Sequence, residues 1–171
     1  MHLRSIAAFS AIAAFGTVTL SGGLLAQQKS LKDQLVGTWT LVSWEQDMAN
    51  ATKFQRYGTS PKGYNIFDAN GRFYMMFARP DLPKLASRNP STPTPDESKA
   101  IVSGAIGLFG TYVVDEATKV VSLRIESSTF PNQLGTYQKR LATSITPSEL
   151  KYENTTAISG GKIYYSFRRT N

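Results

Sequence analysis

The stretch Gly63-Tyr64-Asn65-Ile66-Phe67-Asp68-Ala69-Asn70-Gly71-Arg72-Phe73-Tyr74-Met75-Met76-Phe77 reads as two short strands around a tight turn. Its flanks are rich in aromatic and β-branched residues, which suit a pleated, half-buried surface. Asp68, Ala69, Asn70 and Gly71 between them form the turn, and Gly71 suits its left-handed position. Alternation puts Phe73, Met75 and Phe77 on one face of the second strand, with Tyr64 and Ile66 expected to meet them across the hairpin.

The same pattern continues on both sides. Upstream, Gly37-Thr38-Trp39-Thr40-Leu41-Val42-Ser43-Trp44-Glu45 is one more strand. Downstream, strands follow at Leu108–Val114, Val120–Glu126, Thr136–Ile145, Leu150–Glu153 and Lys162–Arg168, separated by turn residues such as Pro147-Ser148 and Ser159-Gly160-Gly161. One segment breaks the rhythm. Pro80, Pro83, Pro90, Pro93 and Pro95 fall within residues 79–95, and proline at that density excludes interior strand or helix. The segment ends in Thr94-Pro95-Asp96-Glu97, an N-cap followed by proline and first-turn acids, which predicts a short helix from Pro95 to about Gly104. Eight strands joined in sequence by short turns predict an all-β fold, an eight-stranded antiparallel up-and-down barrel with a short helix in the insertion after the third strand. A β-sandwich is the alternative.

At the amino terminus, Arg4 precedes an uncharged apolar run from Ile6 to Ala26 that ends in small residues before Gln27-Gln28. That is the form of a cleavable signal peptide over residues 1–26, so export to the periplasm or medium is expected, with no stable membrane anchor after cleavage. Residues 27–171 remain as a single domain. The chain has no cysteine, and its only histidine, His2, lies in the leader. Disulfides, thiolate metal sites, His-ligated metals and Ser–His–Asp hydrolysis are therefore excluded, and no metal or other cofactor is called for. The net charge of +7 comes from basic residues scattered along the chain. Nucleic-acid sites concentrate such charge on one face, so a solvated basic surface is the reading and nucleic acid is not an expected partner.

Several blocks resemble the bacterial and fungal lipocalin-like domain family. They are Leu35-Val36-Gly37-Thr38-Trp39, then Gly71-Arg72 with Met75-Met76 and Arg79-Pro80-Asp81-Leu82-Pro83-Lys84. Phe109-Gly110-Thr111-Tyr112-Val113-Val114-Asp115 and Ser128-Thr129-Phe130-Pro131-Asn132 with Gly135 and Arg140 complete the set. The resemblance spans roughly residues 35–169 and implies a closed barrel with an internal cavity, but no settled activity. Relatives often carry histidine where Leu123-Arg124 stands here, so histidine chemistry does not carry over. Trp39 on the first strand is expected to close the base of the barrel, with Arg168 or Arg169 stacked on its indole.

Three groups are candidates for binding. Phe73, Met75 and Phe77 form an apolar set suited to a varied apolar ligand, or else ordinary core. Tyr112, Ser122, Arg124, Glu126, Gln138 and Arg140 share one face if the two hairpins take the register that their turns suggest, Glu126 then lying opposite Gln138. Facing inward, the arginines would hold a carboxylate or enolate, with Tyr112 as donor and Glu126 as base. If instead Val121, Leu123 and Ile125 point inward, those residues form a solvated outer face. Alternation alone favours the outer face, whereas Gln138 and Arg140 match family positions, which favours the interior, and both readings stay open. Finally, Phe130-Pro131-Asn132 and the proline-rich segment are placed to border one open end. Three functions remain open: a carrier of a small hydrophobic or amphipathic molecule, a cofactor-independent isomerase, cyclase or lyase using tyrosine and carboxylate, and a filled barrel with a structural or interaction role.

Overall fold

Strands with one apolar face must stack on a second sheet or close on themselves, and these close. The computed structural model describes residues 29–154 and 160–170; the leader read at residues 1–26 lies outside the described residues. In chain order the elements are α1 (Leu31–Leu35), β1 (Gly37–Asp47), β2 (Lys53–Phe54), β3 (Lys62–Phe67), β4 (Arg72–Ala78), α2 (Pro95–Gly104) and β5 (Ala105–Asp115). They continue with β6 (Val120–Ser128), a single 3₁₀ turn (Pro131–Gln133), β7 (Tyr137–Ile145), β8 (Glu149–Asn154) and β9 (Ile163–Arg169).

Each barrel strand pairs antiparallel with the next, from β1 through β3 and onward to β9, and β9 pairs back with β1. The result is the expected eight-stranded meander barrel. The two-residue β2 hooks onto the far end of β1 outside that closed ring. Helix α2 follows β4, the third of the ring strands. Its N-terminus is fixed by a reciprocal capping box. Thr94 Oγ1 accepts from the Glu97 backbone N–H at 3.3 Å while a Glu97 carboxylate oxygen accepts from the Thr94 N–H at 2.7 Å.

A bulge decides which side chains of β1 face inward. Register with β9 shifts between Leu41 and Ser43, so Trp39 and Leu41 point inward before it, and Trp44 and Gln46 after it. Strict alternation would have sent Trp39 and Trp44 to opposite faces. On β3 the inward residues are Asn65 and Phe67, paired with Met75 and Phe73. Tyr64 and Ile66 instead lie on the outer surface beside Met76 and Tyr74, which corrects their expected place. The turn puts Phe67 directly opposite Phe73, and residues directly opposite share a face.

One end of the barrel is plugged. Buried Leu31 and Leu35 of α1 cover it, and the Glu116 carboxylate accepts the Leu31 and Lys32 N–H groups at 2.7 and 3.0 Å. Trp39 is fully buried beneath and donates its indole N–H to Leu35 O at 2.8 Å. Of the two arginines considered, Arg169 stacks on it, with the guanidinium 4.1 Å from the ring centroid. Arg169 donates to the carbonyls of Gln34, Val36 and Pro147 at 2.6–2.8 Å. The glycine of Gly37-x-Trp39 has φ +132°, and a Cβ there would come within 2.6 Å of the Arg169 guanidinium. Glycine leaves that space free.

Candidate functional site

The other end is open. Between the strand ends lies a cavity of about 540 Å³, within the range typical of small-molecule sites. Trp44, Met75, Phe77, Leu108 and Tyr165 supply much of its apolar wall. The aromatic rings interlock edge to face: Trp44 sits 5.6 Å from Tyr57 and 6.4 Å from Tyr165, and Tyr57 5.9 Å from Phe77. Burial pushes the Tyr57 phenol well above its ordinary pKa, so it stays neutral. Segment 53–57 closes part of the rim and is tied to the end of α2 by Arg56, which donates to the carbonyls of Ser103 and Val102 at 2.9 and 3.2 Å.

Polar groups enter this wall from β7. Gln138 and Arg140 alternate inward with Ala142, and Arg140 is only 3% exposed. Its guanidinium lies 5.2 Å from the Tyr165 ring centroid and donates to Gln138 Oε1 and to the Lys139 carbonyl at 3.2 Å. Its buried Nε has no acceptor. Among the described residues no carboxylate pairs with Arg140, and none lines the cavity. Beneath it, Asn65 donates to the Tyr152 hydroxyl at 2.8 Å, and burial raises the Tyr152 pKa.

The eight residues singled out from sequence separate into three groups. Met75, Phe77, Gln138 and Arg140 line the cavity together. Phe73 and Tyr112 face inward but lie in the packed core towards the plugged end. There Tyr112 packs edge-on against Phe67 at 5.0 Å and donates to the Asp68 carbonyl at 2.7 Å. Arg124 and Glu126 lie outside the barrel, against expectation. The Glu126 carboxylate accepts from the Arg72 guanidinium at 2.8 Å on the outer surface.

Two features explain that correction. Leu123 pairs with Gln138 and Val121 with Arg140, so the inward residues of β6 are Val121, Leu123 and Ile125, one position out of step with Arg124. A bulge then places Ser127 opposite Phe109 and Ile125 opposite Gly110, leaving Glu126 between them. The tyrosine–carboxylate pair is therefore not assembled: Tyr112 sits in the core and Glu126 on the far side of the wall.

The rim also differs from expectation. Phe130 and Gln133 line the mouth, but the insertion contributes Ser103 at the end of α2 and not the proline-rich residues before it. The sequence does not mark Trp44, Tyr57 or Tyr165 as cavity residues. The bulge that turns Trp44 inward has no sequence signature, and Tyr57 lies in a short irregular segment. Tyr165 was legible as an alternating residue of the last strand, but nothing marked it as cavity and not core.

A second concavity of about 470 Å³ lies on the outer face of β3, β4 and β5, bordered by Tyr64, Ile66, Tyr74, Met76 and Phe109. Among the described residues there is no cluster of three or more metal-ligating His, Cys, Asp or Glu side chains, and no helix long and apolar enough to cross a membrane.

The profile of the lipocalin-like domain family matches residues 36–164. Similar solved structures include a lipocalin-like protein from Bacteroides uniformis, 13% identical over 80% of this chain and 99% of that chain, with a TM-score of 0.46. A redesigned β-barrel is 14% identical over 84% and 98% of the two chains, with a TM-score of 0.46. A de novo designed fluorescence-activating β-barrel is 10% identical over 83% and 99%, with a TM-score of 0.43. No curated protein matches the chain.

Proposed function

This chain belongs to the lipocalin-like domain family, and from that premise we propose that it is an exported carrier of a small, mostly apolar molecule held in the cavity at the mouth of its barrel. The observation that carries this reading is the cavity itself: about 540 Å³ bounded largely by aromatic, methionine and leucine side chains, at the end opposite the plug. The apolar body of a ligand would lie against Trp44, Met75, Phe77, Leu108 and Tyr165, exchanging water for carbon contacts at about 25 cal/mol per Å² of apolar surface buried. Complete burial of a fatty-acid-sized molecule is compatible with micromolar affinity, about 8 kcal/mol.

The filled-barrel alternative asks for no cavity beyond a few waters, which this volume does not fit. The isomerase alternative loses the base that it was built on, because Glu126 lies outside the wall. Native mass spectrometry of the mature protein purified from its own envelope or medium, followed by organic extraction, tests the carrier reading. A stoichiometric apolar small molecule is the result expected. An apo mass together with no thermal shift against a lipid and metabolite panel would overturn it, and a mature mass that retains the leader would overturn cleavage.

A further inference from the structure

An arginine with its charge buried in an apolar wall is costly unless an anion faces it, because desolvation removes the water that would stabilise the guanidinium. Arg140 is in that position: 3% exposed, its Nε without an acceptor, its remaining contacts neutral, and no carboxylate paired with it among the described residues. The other arginine at the cavity, Arg56, is partly exposed at the rim and donates to helix-end carbonyls. Arg140 is therefore the buried cationic group of the cavity.

We propose that the ligand is an amphipathic monoanion whose carboxylate seats on the Arg140 guanidinium, with its apolar body extending past Met75, Phe77 and Leu108 towards the mouth. A planar carboxylate matches the fork of an arginine and takes two N–H donors at once. Gln138 holds the guanidinium from one side and the Tyr165 ring packs against it, so the donor is oriented before the ligand arrives. A neutral alcohol of the same length can accept from one N–H but brings neither the charge nor the second acceptor oxygen, which sets the sign of the selectivity. This inference rests on the cavity being the binding site, and the test separates the two claims.

Dodecanoate and dodecan-1-ol are titrated against the full mature protein at pH 8, where the acid is ionised, by calorimetry or displacement of a neutral fluorescent probe. A charge-assisted pair implies dodecanoate binding at least about tenfold more tightly than the alcohol. Arg140→Met should abolish that preference while still binding the alcohol, with an equal or higher melting temperature. Lys139→Met, which removes the same charge from the exposed face of the same strand, should leave the preference intact.

Equal affinity for acid and alcohol in the wild type would overturn the anion while leaving the cavity reading standing. Binding of neither probe would overturn both. Equal weakening of both probes by Arg140→Met would make Arg140 a wall residue and overturn the proposal. Should that variant not fold, ¹³C-carboxyl dodecanoate bound to the wild type decides: its resonance should titrate at lower pH than in water, and an unshifted or raised titration would overturn the seat on Arg140.

Discussion

The two ends of the barrel each set an arginine against an aromatic ring, and the surroundings of the two arginines differ in kind. At the plugged end Arg169 covers Trp39 and donates to three backbone carbonyls. At the open end Arg140 lies over Tyr165 with a buried donor unsatisfied. The first arginine ties together α1, the turn before β8 and the last strand, so its hydrogen bonds are spent on the fold. The second is held in place but retains donor capacity. A saturated cation closes a structure; an unsaturated one in a cavity wall is available to a ligand.

The largest effect expected from breaking this contrast lies at the plug. Trp39→Ala should cost about 3–5 kcal/mol, the range for removing a fully buried large aromatic side chain, seen as a fall in the urea midpoint at unchanged m-value. Next, Arg169→Met should cost about 1–3 kcal/mol, combining the lost cation–π contact with the part-buried carbonyls of Gln34 and Val36 deprived of donors. Arg140→Met should come within about 1 kcal/mol of wild type or exceed it, since it removes a buried charge and supplies apolar volume. Comparable losses from both methionine variants in chemical denaturation would erase the distinction between the two arginines.

A smaller effect concerns the proline-rich insertion. The Glu97 carboxylate is held below its ordinary pKa by the backbone N–H groups of Ala86 and Thr94. A depressed carboxylate pKa stabilises the fold above the unfolded value and loses that contribution as pH falls through the folded value. Glu97→Gln should therefore lower the melting temperature slightly at neutral pH and converge with wild type in acid; parallel curves down to low pH would remove Glu97 as the clamp. The smallest effect belongs to the outer wall. Glu126→Gln breaks a partly exposed ion pair and should change stability by less than about 1 kcal/mol, leaving dodecanoate affinity unchanged by calorimetry.

How much of this was legible in the sequence differs along the barrel. The hairpin around Asp68–Gly71 announces itself through turn chemistry, and the capped helix through Thr94-Pro95-Asp96-Glu97, because both signals are local. The inward course of Phe73, Met75 and Phe77 follows from alternation alone. Faces on β6 and β7 do not, because a one-residue change of register exchanges the two sides, and the bulge at Glu126 occurs where no glycine or proline marks it on that strand. The apolar alternation of Val121, Leu123 and Ile125 pointed to the observed face of β6. On β7 hydrophobicity misleads, since the strand turns Gln138 and Arg140 inward, leaves Leu141 outside and sets Tyr137 exposed at the mouth. A polar pair placed against the apolar pattern is what a binding site looks like in a barrel strand; here the match to family positions pointed to the pair, and the register with β6 sets its face.

The two tryptophans offer the most direct test, because one belongs to each end of the barrel. Trp39 is sealed in the plug and Trp44 lines the cavity, so the two indole N–H resonances report separately in a ¹H–¹⁵N titration with dodecanoate. The expected result is a saturable shift of the Trp44 indole, accompanied by the backbone amides of Met75, Leu108 and Gln138, while the Trp39 indole stays in place. Shifts confined to Tyr64, Tyr74 and Phe109 on the outer face, or centred on Trp39, would contradict the cavity as the binding site.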